Sequence, residues 1–150
     1  MWPEVQEQVA IEWAQIDQLL AAYRSVIENA AQGTPTFVEV SALATMLHSF
    51  YTGLENIFKR IASEIDDRVP SGYASHSDLL LLMASATPQR PAVISEALQI
   101  RLGAYLSFRH VFRHAYSFQL QWDKMQDLVF QTRPTWLQLQ AELDQFFNPE

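Results

Sequence analysis

The sequence predicts an all-α fold, an antiparallel bundle of about five helices, for three reasons. Apolar residues recur at steps of three and four through most of the chain, which is the spacing of one helical face. β-branched residues cluster once, at residues 36–40, so strands are not indicated. The connections between the periodic segments are short, which favours antiparallel neighbours. With 150 residues and no cysteine, we expect a single domain over residues 1–150 that needs no disulfide bonds.

The first two predicted helices are long and amphipathic. The first begins near Pro3 and ends before Gly33, because proline suits a first turn and glycine commonly follows a last turn. Its apolar face consists of Val5, Val9, Trp13, Ile16, Leu20, Tyr23 and Ile27. The second ends at Asp66, before the turn-forming residues 69–72. Its apolar face consists of Leu43, Met46, Leu47, Phe50, Leu54, Ile57, Phe58, Ile61 and Ile65.

Three further helical segments follow. A short helix is predicted over residues 77–86 and is ended by the two prolines that come next. Ser95 is predicted to cap another helix, which continues to Tyr116. Residues 123–147 are predicted to form one helix broken near Pro134, or two short helices, because proline lacks the backbone donor that a helix interior requires.

Composition and charge restrict the classes of function. The absence of cysteine excludes thiolate metal sites and redox motifs. A net charge of −7 argues against broad, nonspecific affinity for nucleic acid but permits a small basic site. Residues 1–50 carry one basic and six acidic side chains, whereas residues 101–150 carry five of each, so such a site is expected late in the chain. No apolar run approaches the ~20 residues of a membrane span and no signal peptide pattern is present, so we expect a cytoplasmic protein with no membrane association.

The segment 108–116, FRHVFRHAY, has the least ordinary chemistry in the chain. It places two arginines and two histidines within six positions. At ~100° per residue of a helix, its polar face gathers Arg109, His110, Arg113, His114 and Tyr116. The same projection puts Tyr116 within about 20° of Arg109. This face contains no lysine and no carboxylate, which distinguishes it from an ordinary solvated face.

A structural interpretation of these polar side chains is open. Arginine and histidine on a bundle helix often pair with acidic neighbours, and Glu55 on the second predicted helix is a possible partner. His76 lies in a Ser-His-Ser-Asp sequence at a junction of loop and helix, which we interpret as a helix cap. His48 lies beside an apolar residue of the second predicted helix and is interpreted as a packing or surface residue.

Two functional interpretations compete with the structural one. His110 and His114 are four residues apart, the spacing at which two imidazoles of one helix bind a metal ion. No acidic third ligand lies on the same turn, and the neighbouring guanidinium groups would repel a cation. The alternative is a site that handles phosphate, because arginine presents a bidentate fork to phosphate oxygens and histidine moves protons near neutral pH. RNA supplies its own 2′-hydroxyl nucleophile, so its cleavage at such a site needs no metal.

Arg109, His114 and Tyr116 together resemble the R-x4-H-x-Y motif of HepT-type toxins with a HEPN domain. The order and spacing of the segments 49–66 and 69–84 are similar to that family, as is the sequence of residues 120–129 before the final helix. The resemblance covers residues 40–147, whereas the N-terminal segment carries no matching motif.

The resemblance implies a helical homodimer in which the two motif helices face each other across a cleft. It also implies metal-independent endoribonuclease activity without a cofactor. Arg109 would hold and neutralise the scissile phosphate, and His114 would be the general acid or base. His110 and Arg113 would contact RNA or support the motif. Pairing of two chains would supply a second motif histidine, so that an acid and a base are both present.

The resemblance further implies a partner, a small nucleotidyltransferase antitoxin of the MNT type in a type VII-like toxin–antitoxin system. In such systems the partner transfers AMP to the motif tyrosine, here Tyr116. The bulky, anionic nucleotide would occupy the cleft and compete for Arg109. The alternative function is a noncatalytic HEPN bundle that binds a nucleotide or positions a nucleotidyltransferase.

Overall fold

The computed structural model describes residues 2–149, which form six α-helices and no β-strand. The helices are α1 (Pro3–Ala22), α2 (Arg24–Gln32), α3 (Phe37–Glu64), α4 (Ser75–Met83), α5 (Glu96–His114) and α6 (Trp122–Phe147). A single 3₁₀ turn, Ser117–Gln119, lies between α5 and α6. The predicted all-α bundle is confirmed. None of the helices in the described part of the chain is long and apolar enough to span a membrane.

The first predicted helix is interrupted at Tyr23, so the chain has one helix more than the sequence suggested. Tyr23 has φ −96° and ψ 3°, which ends α1 and lets α2 begin at the next residue. Its ring is partly buried against the core. Neither glycine nor proline stands near this position, so the sequence carries no local indication of the break.

Helix α3 is the centre of the bundle, because each of the other five helices contacts it. It begins with a capping box in which the backbone N–H of Glu39 donates to Thr36 Oγ1 at 3.2 Å and that of Thr36 donates to Glu39 Oε1 at 2.8 Å. The β-branched cluster at residues 36–40 therefore starts a helix. Of the thirteen buried residues of this 28-residue helix, Glu55 alone is charged.

Helix α5, which carries the FRHVFRHAY segment, begins as predicted and ends earlier. Ser95 Oγ accepts a hydrogen bond from the Leu98 N–H at 3.1 Å, which confirms the predicted cap. The helix ends at His114, and both Ala115 and Tyr116 are extended. The Tyr116 N–H donates to the side chain of Gln119 at 2.8 Å and begins the 3₁₀ turn instead. The helical projection that put Tyr116 beside Arg109 is therefore wrong.

Helix α6 is continuous through Pro134, so the predicted break is also wrong. Thr132, Thr135 and Trp136 are buried around the proline, and the Trp136 indole N–H donates to Asp17 Oδ1 on α1 at 2.8 Å. The packing of these three residues in the core keeps the helix continuous at the proline. Pro134 itself is exposed, so the carbonyl group that loses its helical donor lies on the solvated side.

A buried ion pair fastens the chain between α4 and α5 to the end of α3. Arg90 donates to both oxygens of Asp66, from Nε at 2.9 Å and from Nη2 at 2.8 Å. Its guanidinium also donates to the backbone carbonyls of Leu82, Ser85 and Pro91. Both side chains of the pair are almost fully buried. The pair therefore fixes α4 relative to α3.

Candidate functional site

Arg109 is paired with the one buried charge of α3. Its Nη1 donates to Glu55 Oε1 at 2.6 Å, and the Glu55 side chain is 2% exposed. The Arg109 side chain is 13% exposed, so the pair lies at the edge of the core. The acidic partner proposed for the polar face of α5 is confirmed. A carboxylate buried this deeply is tolerated because charged donors satisfy it.

The other oxygen of the same carboxylate binds His76. His76 Nδ1 lies 2.7 Å from Glu55 Oε2. An ionised carboxylate only accepts hydrogen bonds, so Nδ1 carries the ring proton and donates a hydrogen bond to Glu55. Arg109 Nη1 lies 3.4 Å from the same Nδ1, and because both nitrogens are donors this distance marks proximity. We call these three side chains the Glu55 cluster.

His76 is the residue that the sequence assigned wrongly. The N-cap of α4 is Ala74, and no side chain caps this helix. His76 is instead turned toward α3, where it contacts Glu55. The two residues are 21 positions apart in sequence, and His76 and Arg109 are 33 apart, so no local motif links them.

A groove of about 810 Å³ runs between α4 and α5 beside this cluster. Its lining includes the side chains of Tyr73, His76, Arg109, His110 and Arg113. No carboxylate is among the lining residues. Two guanidinium and two imidazole groups therefore face one concave surface, which favours an anionic ligand on an otherwise acidic protein.

His114 and Tyr116 lie apart from this groove. The His114 ring packs against that of His110, with the ring centroids 4.7 Å apart, and His114 is not among the groove-lining side chains. Tyr116 follows the end of α5, is 72% exposed and stacks on Phe118 with the centroids 5.6 Å apart. The structure thus brings together three of the five predicted site residues, keeps His114 next to one of them and separates Tyr116.

The spacing of His110 and His114 does place two imidazoles side by side. Within residues 2–149, however, no group of three or more His, Asp or Glu side chains is arranged to hold a metal ion. The positive charges of Arg109 and Arg113 on the same helix would oppose cation binding.

The pKa values of two further residues of α3, His48 and Tyr51, are shifted by burial and by nearby charges. His48, for which the sequence left a packing or a surface role open, packs on Phe112 with the ring centroids 5.2 Å apart. Burial lowers the pKa of His48, and the positive charges of Arg109 and Arg113 lower it further. Burial and the nearby Glu55 carboxylate raise the pKa of Tyr51.

The all-helical bundle of residues 2–149 is consistent with the HEPN-like class. The model of the family described as HepT-like protein matches residues 42–149, and the chain belongs to this family. Neither a curated protein nor a solved structure matches the chain.

Proposed function

We propose that the protein is a metal-independent endoribonuclease toxin, inhibited by an MNT-type nucleotidyltransferase antitoxin in a type VII-like system. The observation that carries the proposal is the fixed position of Arg109, the first residue of the R-x4-H-x-Y segment. Glu55 holds this arginine at 2.6 Å beside a groove that presents positive and proton-transferring groups without a carboxylate.

The free donors of the groove suit a phosphodiester. Nη2 of Arg109 makes no hydrogen bond within the described residues, so it is available to a phosphate oxygen, whereas Nε is buried and faces no acceptor. Arg113 and His110, which line the same groove, would bind the neighbouring phosphates of the strand. The 2′-hydroxyl of RNA would attack the phosphorus, and His114 would transfer a proton.

The surface of α5 supports the homodimer that this function requires. Ile100 and Val111 are exposed apolar residues on one face of the helix, with Gly103 and Ser107 between them at helical spacing. All four also line the groove, so a second chain paired here would form part of its wall. Small residues between apolar ones allow a second helix to approach closely. Pairing along this face would bring both copies of His114 toward one cleft.

Tyr116 suits the role of AMP acceptor because its side chain is 72% exposed. It follows the last turn of α5, which carries Arg113 and His114. A phosphate attached to Tyr116 would therefore be attracted to the cationic groups that RNA needs. The partner implied by the family is the nucleotidyltransferase that would install it.

The second candidate function is a noncatalytic bundle that binds a nucleotide or a nucleotidyltransferase. The charge of Arg109 is already balanced by Glu55, and the net charge of the chain is −7. Both features weaken attraction for a long polyanion more than for one nucleotide.

The test is cleavage of end-labelled RNA in EDTA by the unmodified dimer, with intact mass confirming that Tyr116 is free. We expect wild type to cut and His114→Ala to lose cleavage. Arg109→Lys, which keeps a positive charge for Glu55 but loses the separate Nη2 donor, is expected to lose cleavage as well. Arg133→Lys, an exposed change on α6, is the matched control and should cut like wild type. Absence of cutting by wild type on several RNAs would favour the noncatalytic alternative.

A further inference from the structure

Cleavage of RNA by its own 2′-hydroxyl needs both a proton acceptor and a proton donor. The R-x4-H-x-Y motif has one fixed histidine per chain, His114, while His110 occupies one of its variable positions. The groove holds a second histidine from a different helix, His76, which is not part of that segment. The inference below rests on the proposed ribonuclease function and concerns the role of this second histidine.

The hydrogen bond to Glu55 fixes the protonation pattern of the His76 ring. Because Nδ1 donates to Glu55 Oε2 at 2.7 Å, the neutral ring has its lone pair on Nε2. Nε2 makes no hydrogen bond within residues 2–149, and the side chain is 39% exposed and lines the groove. His76 therefore presents an unoccupied proton acceptor on the surface where Arg109 would bind phosphate.

Glu55 gives this acceptor the properties of a general base. The buried carboxylate orients the ring through Nδ1 and would stabilise the imidazolium that forms when Nε2 takes a proton. The other oxygen of the same carboxylate holds Arg109 Nη1 at 2.6 Å. One side chain thus sets the distance between a phosphate-binding group and a proton acceptor, which is the arrangement that transfer from a 2′-hydroxyl requires.

We propose that His76 is the general base of this site. Nε2 takes the proton of the 2′-hydroxyl, and the 2′-oxygen forms a bond to phosphorus while the bond from phosphorus to the 5′-oxygen breaks. The 5′-oxygen leaves with the electron pair and takes a proton from a His114 side chain that the proposed pairing of two chains along α5 brings to the groove. The products are a 2′,3′-cyclic phosphate and a 5′-hydroxyl, and the sum of protons is unchanged.

Two variants of His76 separate chemistry from folding. In His76→Asn the side-chain amide N–H still reaches Glu55 in place of Nδ1–H, but no proton acceptor replaces Nε2. We expect this variant to fold and to cleave RNA at least about 100-fold more slowly than wild type. His76→Ala leaves an open space beside the groove, and added imidazole is expected to restore part of its activity. His110→Ala is the matched control, since it removes a groove histidine that has no carboxylate partner, and imidazole should not restore it.

A substrate with sulfur in place of the scissile 5′-oxygen distinguishes the base from the acid. Sulfur leaves without being protonated, so we expect it to restore cleavage by His114→Ala. It should not restore cleavage by His76→Asn, because the 2′-hydroxyl still needs a base.

Three results would overturn the inference. If wild type cuts and His76→Asn cuts equally fast, the ribonuclease function stands and the role of His76 is wrong. If His76→Ala is folded, inactive and insensitive to imidazole, His76 acts by positioning Glu55 and is not the base. If wild type itself does not cut, the proposed function fails and the inference fails with it.

Discussion

Glu55→Gln is the substitution that examines the Glu55 cluster most directly. Arg109 can only donate, so the new amide must turn its oxygen toward Nη1 of Arg109. Its NH₂ group then faces Nδ1 of His76, where the wild-type carboxylate accepts a hydrogen bond at 2.7 Å. His76 can avoid the clash of two donors only by moving its proton from Nδ1 to Nε2. The groove-facing nitrogen would then be a donor, and the site would lose its proton acceptor.

The expected loss of stability follows from burial. Glu55 is 2% exposed, and removing one partner of a buried ion pair costs about 3–5 kcal/mol. Glutamine keeps one acceptor for Arg109, so we expect the lower end, about 3 kcal/mol of unfolding free energy. For a chain of this length that corresponds to a Tm lower by about 6–12 °C.

The assay has two parts, and each has its own control. Urea unfolding followed by circular dichroism gives the unfolding free energy, and long-range ¹H–¹⁵N NMR of the imidazole rings gives the tautomer of His76. Glu64→Gln, an exposed change on the same helix, should alter stability by less than about 0.5 kcal/mol. Unchanged stability together with an unchanged His76 tautomer in Glu55→Gln would refute the reasoning.

Three further predictions concern the surroundings of the cluster. The pKa of His48 is lowered in the folded protein, so the unfolded chain binds the proton more tightly and stability should fall as the pH drops below about 6.5. Urea midpoints at pH 7.5 and 5.5 should differ less in His48→Phe than in wild type, and equal differences would contradict this cause. A Cβ atom at Gly53 would lie 2.8 Å from Ile16 Cγ1, so Gly53→Ala should push α1 away from α3. We expect it to lower the unfolding free energy measured in urea by about 1–3 kcal/mol. Gly103→Ala is the control, and it should not lower the unfolding free energy because a Cβ atom there meets open space. Arg90→Met leaves Asp66 buried without its partner and should lower the unfolding free energy by about 3–5 kcal/mol in the same measurement. A loss smaller than that of Gly53→Ala would show that the ion pair does not hold α4.

The sequence predicted the helices wherever the evidence was local. The periodicity of α3 and α5 and the cap at Ser95 depend on neighbouring residues, and all three are confirmed. The breaks were harder to predict because they depend on distant packing. Tyr23 interrupts the first predicted helix without a breaking residue, and Pro134 fails to interrupt α6 because the residues around it are anchored in the core.

The candidate site also combines features that the local sequence predicts with features that depend on distant packing. The polar face of α5 was predicted, and its pairing with Glu55 was one of the interpretations left open, since helix geometry and charge complementarity require only the sequence and a neighbouring helix. The position of His76 was not, because its contact with Glu55 depends on how α4 crosses α3. The position of Tyr116 depended on where α5 ends, and a difference of two residues at that end removed it from the helical face.

Because Glu55 is buried, the Glu55 cluster is assembled whenever the protein is folded. It lies within the most buried helix, so the amide groups around it should exchange with solvent only when the whole bundle opens. Every folded molecule therefore carries the cluster already assembled, and no ordering step precedes each encounter with a ligand. Tyr116 belongs to a short segment held by the hydrogen bonds of its 3₁₀ turn and by one exposed ring contact, which we expect to open at far lower free energy. In the proposed system, a partner enzyme would therefore engage the tyrosine while the bundle, and the cluster within it, stays closed.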